Sequence, residues 1–187
     1  MTRSRLFIVG AVACVFLQRV NGQASERDIG EVTAYVGGLT GLGSHSFVGA
    51  SDGIAFAKYG VAMIDVSYSP LGNQTLRSLS GLIVRQSHLY DINVTGHIRF
   101  PIRKRWAPYA LLGPSVLWNS YQFRYSNETG SVWNSRTDAN FGFHTGGGLR
   151  FHINEHWGIR PEIRVIISNQ TYVAFSLGVL FNVSIAQ

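Results

Sequence analysis

From Val173 to Val183 every second residue is large and apolar. Val173, Phe175, Leu177, Val179, Phe181 and Val183 alternate with small or polar partners that include Ala174, Ser176, Gly178 and Asn182. A period of two sends successive side chains to opposite faces of an extended strand. The same division recurs in Phe141, Phe143, Thr145, Gly147, Leu149, Phe151 and Ile153 against Asn140, Gly142, His144, Gly146, Gly148, Arg150 and His152. It recurs in Ile159, Pro161, Ile163, Val165 and Ile167 against Gly158, Arg160, Glu162 and Arg164, and in Tyr90, Ile92, Val94, Gly96, Ile98 and Phe100 against Asp91, Asn93, Thr95, His97 and Arg99. A soluble barrel or sandwich turns the charged faces to water. A membrane barrel turns the apolar faces to lipid and the charged faces to its lumen.

Reading outward from these segments predicts an all-β chain of eight strands, at about 29–39, 46–56, 59–69, 87–100, 107–124, 139–153, 157–168 and 171–183. The connections near 57–58, 101–106 and 154–156 are short. Those at 40–45, 70–86 and 125–138 are longer and rich in Gly, Ser, Asn and Thr, while the last, 168–170, is brief. An even strand number with short turns at one end and longer loops at the other predicts an antiparallel up-and-down transmembrane β-barrel. Aromatic residues form two levels: Tyr59, Phe100, Trp106, Phe151, Trp157 and Phe181 at the short-turn ends, and Tyr68, Tyr90, Trp118, Tyr121, Phe141 and Tyr172 at the other. Two such girdles suit the two membrane interfaces. The first and third strands alternate more weakly. The register of the second is open, the fifth is apolar on both faces, and Pro114 within the fifth predicts a bulge or locally broken pairing.

Residues 1–24 read as a secretory signal peptide: Arg3 and Arg5 precede an apolar run from Leu6 to Leu17, with small Gly22 and Ala24 before Ser25. That run is shorter than the roughly twenty residues a spanning helix needs. A lipoprotein anchored at Cys14 is disfavoured, because Val15, Phe16 and Leu17 continue the apolar run. Residues 25–187 then form one barrel domain with no cysteine, which points to a bacterial envelope rather than a disulfide-stapled secreted module. Of the +6 formal charge, Arg3, Arg5 and Arg19 leave with the signal, and the remainder is too scattered for nucleic acid. The sequons at Asn73, Asn93, Asn127, Asn169 and Asn182 read as chance, because Asn93 and Asn182 fall on the polar faces of strands.

The order of local motifs resembles the OmpA-like and OmpX-like family of small eight-stranded outer-membrane barrels. The resemblance rests on Ile98, Arg99, Phe100 and Pro101, then Ala107 to Gly113, then Thr145 to Phe151 before the turn Asn154 to Trp157. It implies insertion in the outer membrane among lipid and lipopolysaccharide, after signal-dependent export. It also implies that Ser176, Gly178, Phe181 and Val183 serve as the C-terminal signal read by the barrel-assembly machinery. Such signals usually finish on an aromatic residue, whereas Ser184 to Gln187 follow Val183 here.

An eight-stranded interior is just wide enough for side chains to fill. The predicted lumen holds Glu31, Asp65, Asp91, His97, Arg99, His144, Arg150, His152, Arg160, Glu162 and Arg164. An arginine facing lipid at mid-bilayer costs about 2 to 4 kcal/mol, which sets the charged faces inward. Inside, charges need partners, so Glu162 is expected to pair with Arg150 or Arg164, and Asp91 or Asp65 with Arg99. The pattern favours a polar plug over a narrow gated pore. A soluble lipocalin-like barrel holding a small apolar ligand requires the opposite faces inward.

No catalytic, metal-binding or cofactor constellation emerges. His45 beside Ser46 and Ser87 beside His88 lack an orienting acid, and the glycine run at 146–148 sits in a strand, so the expected role is structural or surface-interacting rather than enzymatic. Arg103, Lys104 and Arg105 read as a solvated turn. Trp133, set among Asn127, Glu128, Ser131, Asn134 and Arg136, marks the segment 125–138 as the place for a surface ligand.

Overall fold

The computed structural model describes residues 29–41, 43–57, 59–78, 81–100, 105–127 and 130–184. Residues 1–24, expected to be a signal peptide, and Arg103 and Lys104 lie outside them. Eight antiparallel strands close into one barrel in chain order: β1 (Ile29–Thr40), β2 (His45–Ala55), β3 (Gly60–Ser78), β4 (Gly81–Arg99), β5 (Trp106–Asn127), β6 (Gly130–His152), β7 (Trp157–Ile167) and β8 (Thr171–Ser184). Closure comes from β1 against β8, paired from Ile29↔Ser184 to Thr40↔Val173. No sheet edge is left along the wall.

The alternation seen in the sequence is the alternation of the wall. Along β7 the exposed residues include Trp157, Pro161, Ile163 and Ile167, and Gly158, Arg160, Glu162, Arg164 and Ile166 are buried. β2 acquires the register that its glycine-broken sequence left open: Phe47, Ser51 and Gly53 face inward, and Val48, Ala50, Asp52 and Ile54 face outward.

Two segments expected as loops are strand. β3 and β4 continue pairing up to Ser78↔Gly81, β4 and β5 up to Leu82↔Ser126, and β5 and β6 up to Asn127↔Gly130. Residues 70–78, 81–86, 125–127 and 130–138 therefore belong to a four-stranded sheet that carries the barrel wall beyond its rim. Above the rim neither face needs to be apolar, so backbone pairing persists where the side-chain alternation that signals a strand has stopped.

Pro114 breaks pairing without shifting it. The β4–β5 ladder omits Val94/Pro114 and Thr95/Gly113 and resumes in the same register, and the β6–β7 ladder likewise passes over Pro161. A proline has no N–H for the ladder. The register shift lies elsewhere, between Pro70 and Gly72, where Gly72 has φ 88°. That left-handed conformation favours glycine.

Candidate functional site: the lumen and the rim

The lumen has two layers of different chemistry. Toward the short turns lies a charged network on Glu31. Its carboxylate takes a bidentate contact from Arg150, Nε to Oε2 at 2.8 Å and Nη2 to Oε1 at 3.1 Å, and a third from Arg160 Nη1 at 3.2 Å. Arg160 reaches Ser51 Oγ at 3.1 Å and Asp65 Oδ1 at 3.7 Å. Arg164 lies 2.6 Å from Glu162 Oε1 and 3.4 Å from Asp65 Oδ1. Tyr109 donates its hydroxyl to the other oxygen of Glu162 at 2.7 Å. Its ring stacks on His97 at 4.7 Å and lies under the Arg150 guanidinium at 4.4 Å. Planar guanidiniums with bidentate geometry are the groups best suited to such buried pairs.

His97 is neutral by its contacts. Arg150 Nη2 only donates, so His97 Nδ1, 2.9 Å away, accepts, and the ring proton sits on Nε2.

A chain of polar side chains crosses the lumen above the arginines. Asn93 donates to Asp91 Oδ2 at 2.8 Å, and Ser115 donates to the amide oxygen of Asn93. His144 touches Ser115 Oγ with Nδ1 at 2.8 Å and Thr95 Oγ1 with Nε2 at 3.0 Å, and Thr95 donates to Asp65 Oδ2 at 2.6 Å.

The second layer, nearer the rim, is apolar. Tyr35, Leu39, Phe47, Leu89, Leu117, Ile166, Tyr172 and Ala174 pack together across the interior. Beneath them remains a cavity of about 30 Å³ with Asp91, Glu162 and Arg164 in its floor. By that measure it holds about two waters.

The side chains expected in the lumen are all directed inward. Glu31, Asp65, Asp91, His97, His144, Arg150, Arg160, Glu162 and Arg164 are buried, while Arg99 and His152 are half-buried near the short-turn mouth. Of the expected ion pairs, Glu162 with Arg164 forms. Arg99 with Asp91 or Asp65 does not: Arg99 lies eight residues beyond Asp91 on the same strand, about 26 Å along it. Asp65 instead pairs with Arg160 and Arg164, and Asp91 has no cation at salt-bridge distance among the described residues.

On the outer wall near the short turns, Trp106 packs on Phe151 at 4.6 Å and Trp157 on Phe181 at 4.8 Å, with Tyr59 and Phe100 exposed beside them. At the other end Tyr68 packs on Tyr90 at 5.2 Å, Trp118 pairs with Tyr90, and Phe141 is exposed. Two residues assigned to that upper level are not on the wall. Tyr172 is buried in the apolar layer, and Tyr121 has the inward phase of β5, under the Arg85 guanidinium at 4.4 Å. The phase of Ala174 and Ser176 already places Tyr172 inside. Of the C-terminal residues, Ser176 and Gly178 face inward and Phe181 and Val183 outward.

His88 is bonded through Nδ1 to the Tyr68 hydroxyl at 2.8 Å on the outer wall, whereas adjacent Ser87 has the inward phase. Asn93 is buried in the lumen and Asn182 Nδ2 donates to the carbonyl of Glu155, so neither is presented as a glycan acceptor. Gly146 and Gly148 lie where a Cβ would meet the backbone of β7, and at Gly148 also the Tyr109 hydroxyl. These glycines let β7 and Tyr109 approach.

Sequence reasoning missed Tyr109, Thr95, Asn93 and Ser115 as network members, and the whole apolar layer. The signal for Tyr109, Ser115 and Leu117 was the register of β5, which alternation alone left undetermined, whereas Asn93 and Thr95 already stood on the polar face of β4 between Asp91 and His97. It also missed Asp52, the one charge on the outer wall between the two aromatic levels among the described residues. On the sheet above the rim, Arg124 lies over the exposed Trp133 ring at 5.3 Å, and exposed Arg136 pairs with Asp138 at 2.9 Å.

A closed antiparallel eight-stranded barrel with its charges inside and its apolar residues outside is a transmembrane β-barrel. The family model of the outer membrane protein beta-barrel domain matches residues 12–182, and the chain belongs to that family, whose place is the outer membrane of Gram-negative bacteria.

The fold is similar to that of Ail, the attachment invasion locus protein of Yersinia pestis, solved in complex with the heparin analogue sucrose octasulfate. Identity is 14%, 85% of this chain and 100% of that chain are covered, and the TM-score is 0.57. It is also similar to a major outer membrane protein from Thermus thermophilus, at 7% identity, 82% and 99% coverage and a TM-score of 0.60. A de novo designed transmembrane β-barrel matches at 13% identity, 85% and 98% coverage and a TM-score of 0.53. No curated protein sequence matches the chain.

Proposed function

We propose that this protein is a non-enzymatic outer-membrane anchor whose plugged barrel displays a surface-interaction sheet. The observation that carries the reading is the four-stranded extension of β3 to β6, which raises Arg124 and Trp133 above a lumen filled by the Glu31 network and the apolar layer. A guanidinium held over an indole keeps its N–H groups free at its edge for sulfate or phosphate oxygens. Ail was solved with a sulfated sugar analogue. The same chemistry suits this sheet, and we assign it sulfated or phosphorylated glycans as ligands. The two aromatic levels act as interface girdles. Residues 1–24 direct export and are removed, and the end of β8 guides the assembly machinery.

Retention of the refolded protein on immobilised heparin tests the reading. Arg124→Gln is expected to elute at lower salt than wild type, because each phosphate- or sulfate-like contact contributes to the salt dependence of binding. Equal elution would sink the surface-ligand assignment. The other reading is a gated conduit, for which Arg164 and Glu162 would be the gate. Planar bilayers are expected to show no single-channel events with wild type or Glu162→Ala, and steady events would replace the plug with a pore.

A further inference from the structure

Every hydroxyl proton near His144 points away from it. Thr95 directs its single O–H to Asp65 Oδ2 at 2.6 Å, on a carboxylate whose other oxygen faces Arg160 and Arg164 at 3.7 and 3.4 Å, so its 3.0 Å contact with His144 Nε2 is one that the ring donates. Asn93 turns its amide N–H to Asp91, which leaves its oxygen toward Ser115. Ser115 directs its O–H there, so the 2.8 Å contact with His144 Nδ1 is also donated by the ring. A ring that donates from both nitrogens is an imidazolium.

The buried charges point the same way. Among the described residues four carboxylates are buried, Glu31, Asp65, Asp91 and Glu162, against three guanidiniums, Arg150, Arg160 and Arg164. His97 is neutral by its bond from Arg150, and Arg99 lies at the far mouth. One positive charge on His144 closes the balance, which matters because uncompensated charge in a closed interior is costly.

We propose that the lumen contains a proton-binding site, His144, joined by Ser115 and Asn93 to Asp91 as a relay that opens on the cavity beneath the apolar layer. Asp91 Oδ1 has no hydrogen-bond partner and Asp91 lines that cavity, which makes it the port of the relay. In the relay the His144 Nδ1–H bond breaks as Ser115 Oγ takes that proton, Ser115 passes its own proton to the Asn93 amide oxygen, and rotation of that amide delivers it to Asp91, which leaves His144 neutral and the Asp91 carboxyl protonated with the net charge unchanged. The groups facing the ring are Asp65 from β3, Asn93 and Thr95 from β4, Ser115 from β5, and Glu162 and Arg164 from β7.

The test is nitrogen NMR of the full-length barrel, labelled at histidine and refolded in detergent micelles, with the His144 signals assigned by their absence in His144→Gln. The expected result at neutral pH is two attached protons on the His144 ring and one on His97. A single ring proton on His144 in the wild-type protein would overturn the site. In Asp91→Asn the relay loses its port, and exchange of the Nδ1 proton with solvent should slow roughly tenfold or more, the scale of one charge-assisted hydrogen bond. An unchanged exchange rate would overturn the relay. Thr95→Val, which keeps the side-chain volume and removes the acceptor at Nε2, should leave one ring proton; retention of both would also refute the assignment.

Discussion

The lower and upper halves of one lumen exclude water in opposite ways. Near the short turns Glu31, Arg150, Arg160, Asp65, Arg164 and Glu162 fill the interior with interlocked charge. Near the rim Leu39, Phe47, Leu89, Leu117, Ile166 and Tyr172 fill it with hydrocarbon. The first solution depends on every partner being present, since removing one leaves another charge buried and alone. The second is additive and tolerant, since an apolar deletion leaves a cavity. At their junction the charged layer meets the cavity beside Asp91.

Removal of Glu31 is the severest test of that contrast. Glu31→Ala strands Arg150, whose only carboxylate partner it is among the described residues, and takes one of the carboxylates of Arg160, and a loss of about 3 to 5 kcal/mol is expected in urea unfolding of the refolded barrel. A loss under 1 kcal/mol would mean that water already penetrates the lower layer. In the upper layer, Leu117→Ala is expected to cost about 3.5 kcal/mol, the middle of the range for a buried leucine. If it destabilises more than Glu31→Ala, the ranking of the two layers is reversed.

Tyr109→Phe probes the seam between ring packing and ionic contact, because it keeps the stacking on His97 and the Arg150 contact but removes the bond to Glu162. A hydrogen bond to a charged acceptor is worth about 1.5 to 3 kcal/mol, and the unfolding midpoint should fall accordingly. Asp52→Val reverses the sign: a carboxyl on the lipid face is unfavourable, and its replacement should stabilise the barrel in lipid vesicles by about 1 kcal/mol. Destabilisation would show that Asp52 has a partner in the membrane.

The strands themselves were legible where one face is uniform. β7 and β8 could be placed within a few residues at both ends, and β4 and β6 at their short-turn ends, with inward and outward sets in order, because a two-residue period needs only local sequence. β2 and β5 were not, for different reasons: glycines erase the alternation in β2, and in β5 both faces meet apolar surroundings, lipid outside and Leu111 or Leu117 inside. That second ambiguity hid Tyr109, and with it the connection of Glu162 to His97 and Arg150. The strands above the rim were misread as loops because their hydrogen bonds come from neighbours, not from side-chain alternation.

The sequence by itself determined that three strands carry charge on one side and hydrocarbon on the other, with a fourth pairing hydrocarbon against small and polar residues, and therefore that the charges close inward in a membrane barrel. Tertiary structure decided which charges meet. Glu31 and Arg150 are 119 residues apart, on strands joined across the lumen only when β1 closes on β8. Alternation assigns a face, but strand stagger and closure assign a height and a facing partner. For that reason Asp65, not Asp91, took the arginines, and Asp91 was left beside the cavity.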